Sequence, residues 1–144
     1  MIGVDTNILV YAHREDSPFH ERAFQCICAL AEGKGAWAIP WPCIHEFLAI
    51  ATHPRIYSPP TPMLTALAQV DAWLESPSLI LLGEAAGYWE TAKNLITSST
   101  VQGPQIHDAR IAAICVQHGV LELLTSDRDF GRFSSLKTRN PLVG

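Results

Sequence analysis

Positive charge is scarce in this chain, and so are sulfur frameworks, phosphate-loop glycines and long apolar runs. Ten Lys and Arg residues face 14 Asp and Glu among 144, a formal charge of −4. The sequence therefore lacks the overall basic balance that phosphate-binding proteins usually carry. The four cysteines, Cys26, Cys28, Cys43 and Cys115, form no Cys-x-x-Cys pair, which argues against the common zinc and dithiol frameworks and leaves free thiols within apolar helical patterns. No apolar run approaches the ~18 residues expected of a membrane span, and no basic residue precedes Asp5 as a secretory leader would require. The expected compartment is the cytoplasm. Gly33-Lys34-Gly35 is too short for a P-loop, no Gly-x-Ser-x-Gly elbow occurs, and His45-Glu46 fails to open a His-Glu-x-x-His zinc motif because Ala49 stands in the fifth place.

What is present is a large apolar fraction, 48% of the chain. At this length one domain spanning 1–144 is expected, burying about 70% of its unfolded surface without disulfides. Strand-like and helix-like patterns alternate, which predicts a parallel sheet with helices on both faces. Short apolar runs predict strands at Ile2–Val4, Trp37–Ile39, Leu79–Leu82 and Glu122–Thr125, with a last edge strand at Leu136–Thr138. Helices are expected over Asn7–His13, from a Ser17-Pro18 start to Gly33, from Ile44 to Ala51 once Pro40 and Pro42 have broken the second strand, and over Thr61–Leu74, Glu84–Ser98 and Gln105–His118. The prolines at 54, 59, 60 and 62 predict a loop over His53–Pro62.

Acids stand at the ends of these segments. Asp5 closes the first strand, Glu46 lies off the apolar stripe of its helix, Asp108 falls in a first helical turn, and Asp127 and Asp129 follow the fourth strand. Open α/β folds bring such positions to one sheet edge, where they place their ligands. Carboxylates gathered there repel one another by roughly 4 kcal/mol per pair at about 4 Å in an effective dielectric of ~20. A cation must join them or some must stay protonated, and an all-oxygen donor set suits Mg²⁺ or Mn²⁺ better than zinc or copper. Thr6 and Asn7 add polar groups beside Asp5. Of the last pair, Asp127 is assigned to the site and Asp129 to a cap or a supporting position, with Phe130 and Phe133 packed beneath. His45 and His107, each preceding an acid, are expected on helix surfaces or behind the acids.

Val4-Asp5-Thr6-Asn7, Glu46 on a mid-chain helix, Asp108 at a helix start and Leu124-Thr125-Ser126-Asp127-Arg128-Asp129-Phe130 together resemble the PIN-domain ribonucleases, and the length resembles the VapC toxins of prokaryotic toxin-antitoxin pairs. The resemblance spans nearly the whole chain. It implies an α/β/α sandwich around a parallel sheet, Mg²⁺- or Mn²⁺-dependent endonucleolytic cleavage of RNA, a homodimer, and inhibition by a cognate VapB-type antitoxin. Carried over by position, it makes Asp5, Glu46, Asp108 and Asp127 the acidic quartet and Thr6, Asn7 and Thr125 supporting polar groups. Trp41-Pro42-Cys43 departs from the small polar residue expected ahead of Glu46. In such a site a metal-activated water attacks the phosphodiester with no protein nucleophile, leaving a 5′-phosphate and a 3′-hydroxyl.

Setting aside the quartet leaves ten acids against ten bases, and Arg110, Arg128, Arg132, Lys137 and Arg139 crowd the last 35 positions as a candidate phosphate-facing rim. An antitoxin would be expected to lay an Arg or Lys among the acids, and to anchor an amphipathic helix on Ile8, Tyr11, Phe19 and Phe24. Tryptophans 37, 41, 73 and 89 are more than a small domain readily buries, which favours a dimer. The rival readings are a non-catalytic PIN-like binding module and a haloacid-dehalogenase-type phosphatase. The phosphatase needs a second aspartate two positions after Asp5, where Asn7 stands. A receiver domain is excluded because Leu79–Gly83 offers no phospho-acceptor aspartate.

Overall fold

A computed structural model describes residues 1–144. Five strands, β1 (Ile2–Val4), β2 (Trp37–Pro40), β3 (Leu79–Leu82), β4 (Glu122–Leu124) and β5 (Thr138–Arg139), form one sheet in the order β3-β2-β1-β4-β5. Every pairing is parallel. Parallel neighbours need crossovers, and these are helical: α1 (Thr6–His13), α2 (His20–Glu32), α3 (Trp41–Ala51), α4 (Met63–Leu74), α5 (Tyr88–Ser99) and α6 (Gln105–Gln117). The expected α/β/α architecture is therefore the one found. The chain winds outward from β1 through β2 to β3, then returns to add β4 and β5 on the other side of β1. Strand order thus reverses between β1 and β4, the kind of crevice in which open α/β sheets bind ligands.

The sheet is held by near-continuous apolar burial, as a parallel sheet covered on both faces requires. Val4, Ile39, Leu123 and Leu124 are buried with Phe47, Ile111, Phe130 and Phe133 in one apolar cluster. At Gly3 a methyl group would stand 3.1 Å from Val120 Cγ1 and 3.3 Å from Leu123 Cδ1, so the absent side chain lets β1 lie close against β4 and the turn before it. These are the strands that carry Asp5 and Thr125.

Several boundaries differ from the sequence-based expectation. The helix bearing Glu46 starts at Trp41, not Ile44, because Pro42 sits in the first turn, where its missing N–H costs nothing. Ser17-Pro18 does not start α2: Ser17 Oγ accepts from the Phe19 N–H in a local turn, and the helix begins at His20. α5 begins at Tyr88 rather than Glu84, held off by Gly87 at φ 84°, a left-handed conformation suited to glycine. The fourth helix begins at Met63 rather than Thr61, and the last strand is Thr138–Arg139 instead of Leu136–Thr138. Cys43 and Cys115 are buried, whereas Cys26 and Cys28 are only half-buried. Trp37 and Trp73 are core residues, and Trp41 and Trp89 remain exposed.

Candidate metal centre

Parallel strands put all five carboxyl ends on one edge, and β1 and β4 deliver their acids there side by side. Asp5 continues the ladder by donating its N–H to Leu124 O at 2.9 Å before α1 turns away. Its carboxylate is buried and held from two sides. Thr125 Oγ1 donates to Oδ2 at 2.7 Å, and Cys43 Sγ lies 3.6 Å from Oδ1 as a weak donor. Thr125 Oγ1 also accepts the Asp127 N–H at 3.0 Å, so one hydroxyl links the acid after β1 to the acid after β4. Asn7 Oδ1 accepts the Ser126 N–H at 3.3 Å and ties the same two loops together.

Glu46 reaches this edge from α3, where its Oε2 accepts a 2.9 Å bond from Thr6 Oγ1. Asp108 lies in the first turn of α6, whose positive end favours the ionised form. Carboxylate oxygens of Asp108, Asp127 and Asp129 all lie within 4.8 Å of one another. Asp129 is thus drawn closer to the acids than a capping role would bring it. The cap of the short 3₁₀ helix Arg128–Arg132 is Asp127, whose Oδ1 accepts the Asp129 N–H at 2.9 Å. Phe130 and Phe133 pack beneath, as expected.

Burial pushes the Asp5 carboxyl up from 3.8 to about 6, with Glu46 adding repulsion and the Thr125 bond opposing both. Asp108 also rises to about 6, through burial first and then through the charges of Asp127, Asp5, Glu46 and Asp129. Asp108 thus feels all four of the other acids, while the close group of oxygens comprises Asp108, Asp127 and Asp129, and Asp5 and Glu46 stand outside it. The nearby bases neutralise little of it: Arg110 pairs with Glu84, Lys137 and Arg139 pair with Glu122, and Arg132 stands 3.9 Å from Asp129. The expected C-terminal basic rim is therefore largely spent on ion pairs. Arg128 has no salt-bridge partner and lines a cavity of about 260 Å³ with Ser126, Asp127 and Asn140.

Cys43 is the contact that sequence reasoning missed. Burial and the neighbouring Asp5 charge raise its thiol well above the usual range, so it stays protonated and donates toward Asp5. Its place in α3, three residues before Glu46, was the available signal. His45 and His107 lie on the surface, away from any role as a buried ligand. Two larger cavities lie elsewhere, one of about 370 Å³ beside His13, Arg14, Asp16 and Pro59–Thr61 and one of about 450 Å³ beside Lys34, Pro77 and Ile80, and neither contains any of the five acids.

The profile of the PIN domain matches residues 2–136. This chain belongs to the PIN-domain family. Ribonuclease VapC43 of Mycobacterium tuberculosis is 32% identical over 144 residues, covering 100% of this chain and 97% of the relative. Among solved structures, VapBC2 from Rickettsia felis bound to a DNA fragment from its promoter matches with a TM-score of 0.72 at 21% identity, covering 97% of this chain and 98% of the other. The sarcin-ricin loop cleaving toxin VapC20 of M. tuberculosis matches with a TM-score of 0.67 at 16% identity, covering 91% and 93%. The PIN fold and the relationship to VapC ribonucleases agree with the resemblance read from the four acidic motifs.

Proposed function

We propose that this PIN-domain protein is a divalent-metal-dependent endoribonuclease and the toxin of a type II toxin-antitoxin pair, with Asp5, Glu46, Asp108 and Asp127 as its acidic quartet. The observation that carries the reading is the convergence of coupled carboxylates at the β1/β4 switch point, with Asp108, Asp127 and Asp129 in mutual reach. The donors fit a hard cation. They are carboxylate oxygens, and the one nearby sulfur stays protonated against Asp5. Mg²⁺ or Mn²⁺ would be held by Asp108 and Asp127, joined by Asp5 and Glu46, with Asp129 beside them. When bound, the ion supplies Lewis-acid activation of water and stabilises charge on the phosphodiester.

The chain's own residues set the stage for that chemistry. Thr125 orients Asp5 and holds the backbone before Asp127, Thr6 fixes Glu46, and Asn7 pins the loop after β4. Rigid partners of this kind keep carboxylates in place before the ion arrives. The chemistry proposed uses water as the nucleophile and asks none of a side chain. Cys43, which touches Asp5, is buried and protonated.

The partner proposed is a VapB-type antitoxin, since the VapBC complex from Rickettsia felis shares this fold. Its apolar anchor differs in detail from the sequence expectation. Ile8 is fully buried and offers no surface, whereas Phe19 and Phe24 are exposed and Tyr11 packs on Phe19 with ring centroids 5.2 Å apart. An apolar cavity of about 190 Å³ between α2 and α4, lined by Phe24, Ile27 and Trp73, extends this surface. A homodimer is proposed as well, resting on the family and on exposed Trp89. Cytoplasmic residence belongs to the same reading, and no helix is long and apolar enough to cross a membrane. Mapping 5′ ends of cellular RNA after induced expression tests the proposal. Discrete new 5′-phosphate ends, lost in Asp127→Asn, are expected, and an unchanged RNA population contradicts it.

A further inference from the structure

The chain carries −4 overall, and of its C-terminal bases Arg110 is paired with Glu84, Lys137 and Arg139 with Glu122, and Arg132 stands 3.9 Å from Asp129. Among these C-terminal bases, cationic contact with an RNA strand is therefore left to Arg128, which has no carboxylate partner and lines a cavity with Asp127. Another kind of contact lies at the same edge. β2 ends at Pro40, and the next residue, Trp41, opens α3. The pairing of Gly3 with Ala38 sets Asp5 level with Pro40 on the neighbouring strand, so Trp41, the next residue, opens its helix at the same edge of the sheet as Asp5. Two residues on, Cys43 reaches Asp5 itself, and three residues beyond that Glu46 accepts a hydrogen bond from Thr6, the residue after Asp5.

Trp41 is not used as core. Trp37 and Trp73 are 0% and 6% exposed, while Trp41 keeps 41% of its surface open. A Cβ at Gly83, just after β3, would stand 3.6 Å from its Cδ1, an ordinary contact that puts the indole beside that end of the sheet. One helical turn along, His45 is exposed and its ring is fixed by a 3.1 Å contact from Nδ1 to Trp41 O. The two rings lie 6.4 Å apart at 51°, a corner in which neither covers the other's π-face.

We propose that Trp41, with His45 beside it, is a stacking platform that holds an unpaired base of the RNA next to the acidic cluster. The inference rests on the ribonuclease reading and adds a substrate-positioning residue to it. Stacking suits a site with little spare positive charge, because every base has a π-face and single-stranded RNA is commonly held on aromatic side chains. Trp41 touches no reacting atom. Its effect is on the residence of the substrate.

The test uses the full chain in EDTA, with short oligoadenylate and oligouridylate each carrying one 2-aminopurine, against wild type, Trp41→Phe, Trp41→Leu and Trp41→Ala. Wild type and Trp41→Phe are expected to bind and quench the probe. Trp41→Ala and Trp41→Leu should weaken binding roughly ten-fold, and in metal-dependent cleavage should raise KM by a similar factor with kcat retained. Equal affinity in Trp41→Leu, which keeps apolar bulk without a π-face, overturns the proposal. Failure of wild type to bind either oligonucleotide overturns it too. A change of oligomeric state in Trp41→Ala by sedimentation, with RNA affinity unchanged, would assign the indole to contact between copies. Tight, quenched binding by a wild type that cannot cleave any RNA would instead refute the ribonuclease reading and leave the platform standing.

Discussion

Asp5 is buried with both oxygens engaged, and the hydroxyl of Thr125 does two tasks by donating to it and accepting from the Asp127 N–H. Removing that hydroxyl at constant shape leaves Asp5 without its strongest donor and frees the start of the Asp127 loop. Thr125→Val is therefore expected to lower metal-dependent cleavage by about 10–100-fold, the usual cost of losing a group that orients a ligand. Thr125→Ser should restore most of it. Cleavage rates in both variants check this, and a fully active Thr125→Val would show that Asp5 needs no orienting donor. Cys43→Ala removes a longer and weaker bond, 3.6 Å from sulfur to oxygen, and should cost less than Thr125→Val in the same assay.

α3 shows what the sequence made legible and what it did not. The spacing of Ile44, Phe47, Leu48 and Ala51 marked its apolar face; Ile44, Phe47 and Ala51 are buried in the fold and Leu48 is half-buried. Its start was misplaced because Pro42 reads equally as a strand breaker or as a first-turn residue, and in the fold it is the latter. The acids after β1 and β4 could be placed because each follows an apolar strand. The closeness of Asp129 to Asp108 could not, since it depends on the 3₁₀ turn that Asp127 caps. The Thr125 and Cys43 bonds to Asp5 join residues 120 and 38 positions apart, beyond the reach of local pattern.

Phe47 fastens α3 between neighbours. It is fully buried, and its ring meets His13 of α1 and Trp73 of α4 edge-on, with centroids at 5.3 and 4.8 Å. Phe47→Ala should cost about 3–5 kcal/mol, seen as a lower denaturant midpoint. Because Glu46 is the adjacent residue, cleavage should fall in this variant even under conditions where the chain remains folded. Stability lost without any change in cleavage by the folded fraction would separate the packing of α3 from the placement of Glu46.

Over the whole molecule, the acidic cluster costs stability when no cation is present. Asp5 and Asp108 keep their protons in the fold up to about 6, whereas in the unfolded chain they release them near 3.8. Between those values the folded state binds more protons, so the stability of the metal-free protein falls as pH rises through the window and levels off above it. For buried Asp5 the loss is on the order of 3 kcal/mol. The more open Asp108 contributes less after solvent screening. Asp16, held low by Arg14, acts below this window, and Glu84, lowered from 4.5 by Arg110, has completed its effect by the lower part of it, so neither offsets the fall above pH ~5. Melting of metal-free protein should therefore occur at a lower temperature at about pH 7.5 than at about pH 5. Asp108→Asn should flatten the dependence and raise the melting temperature at the higher pH. A metal-free protein that gains stability across the same interval would show that the acids are not crowded as described.

Cleavage of RNA by the purified chain, followed with Mn²⁺, with EDTA, and with Asp108→Asn in Mn²⁺, tests the central claim most directly. The account predicts endonucleolytic products bearing 5′-phosphates only for wild type with the ion, and Mn²⁺-dependent thermal stabilisation that the variant loses. Cleavage that persists in EDTA, or that Asp108→Asn performs at the wild-type rate, would contradict it.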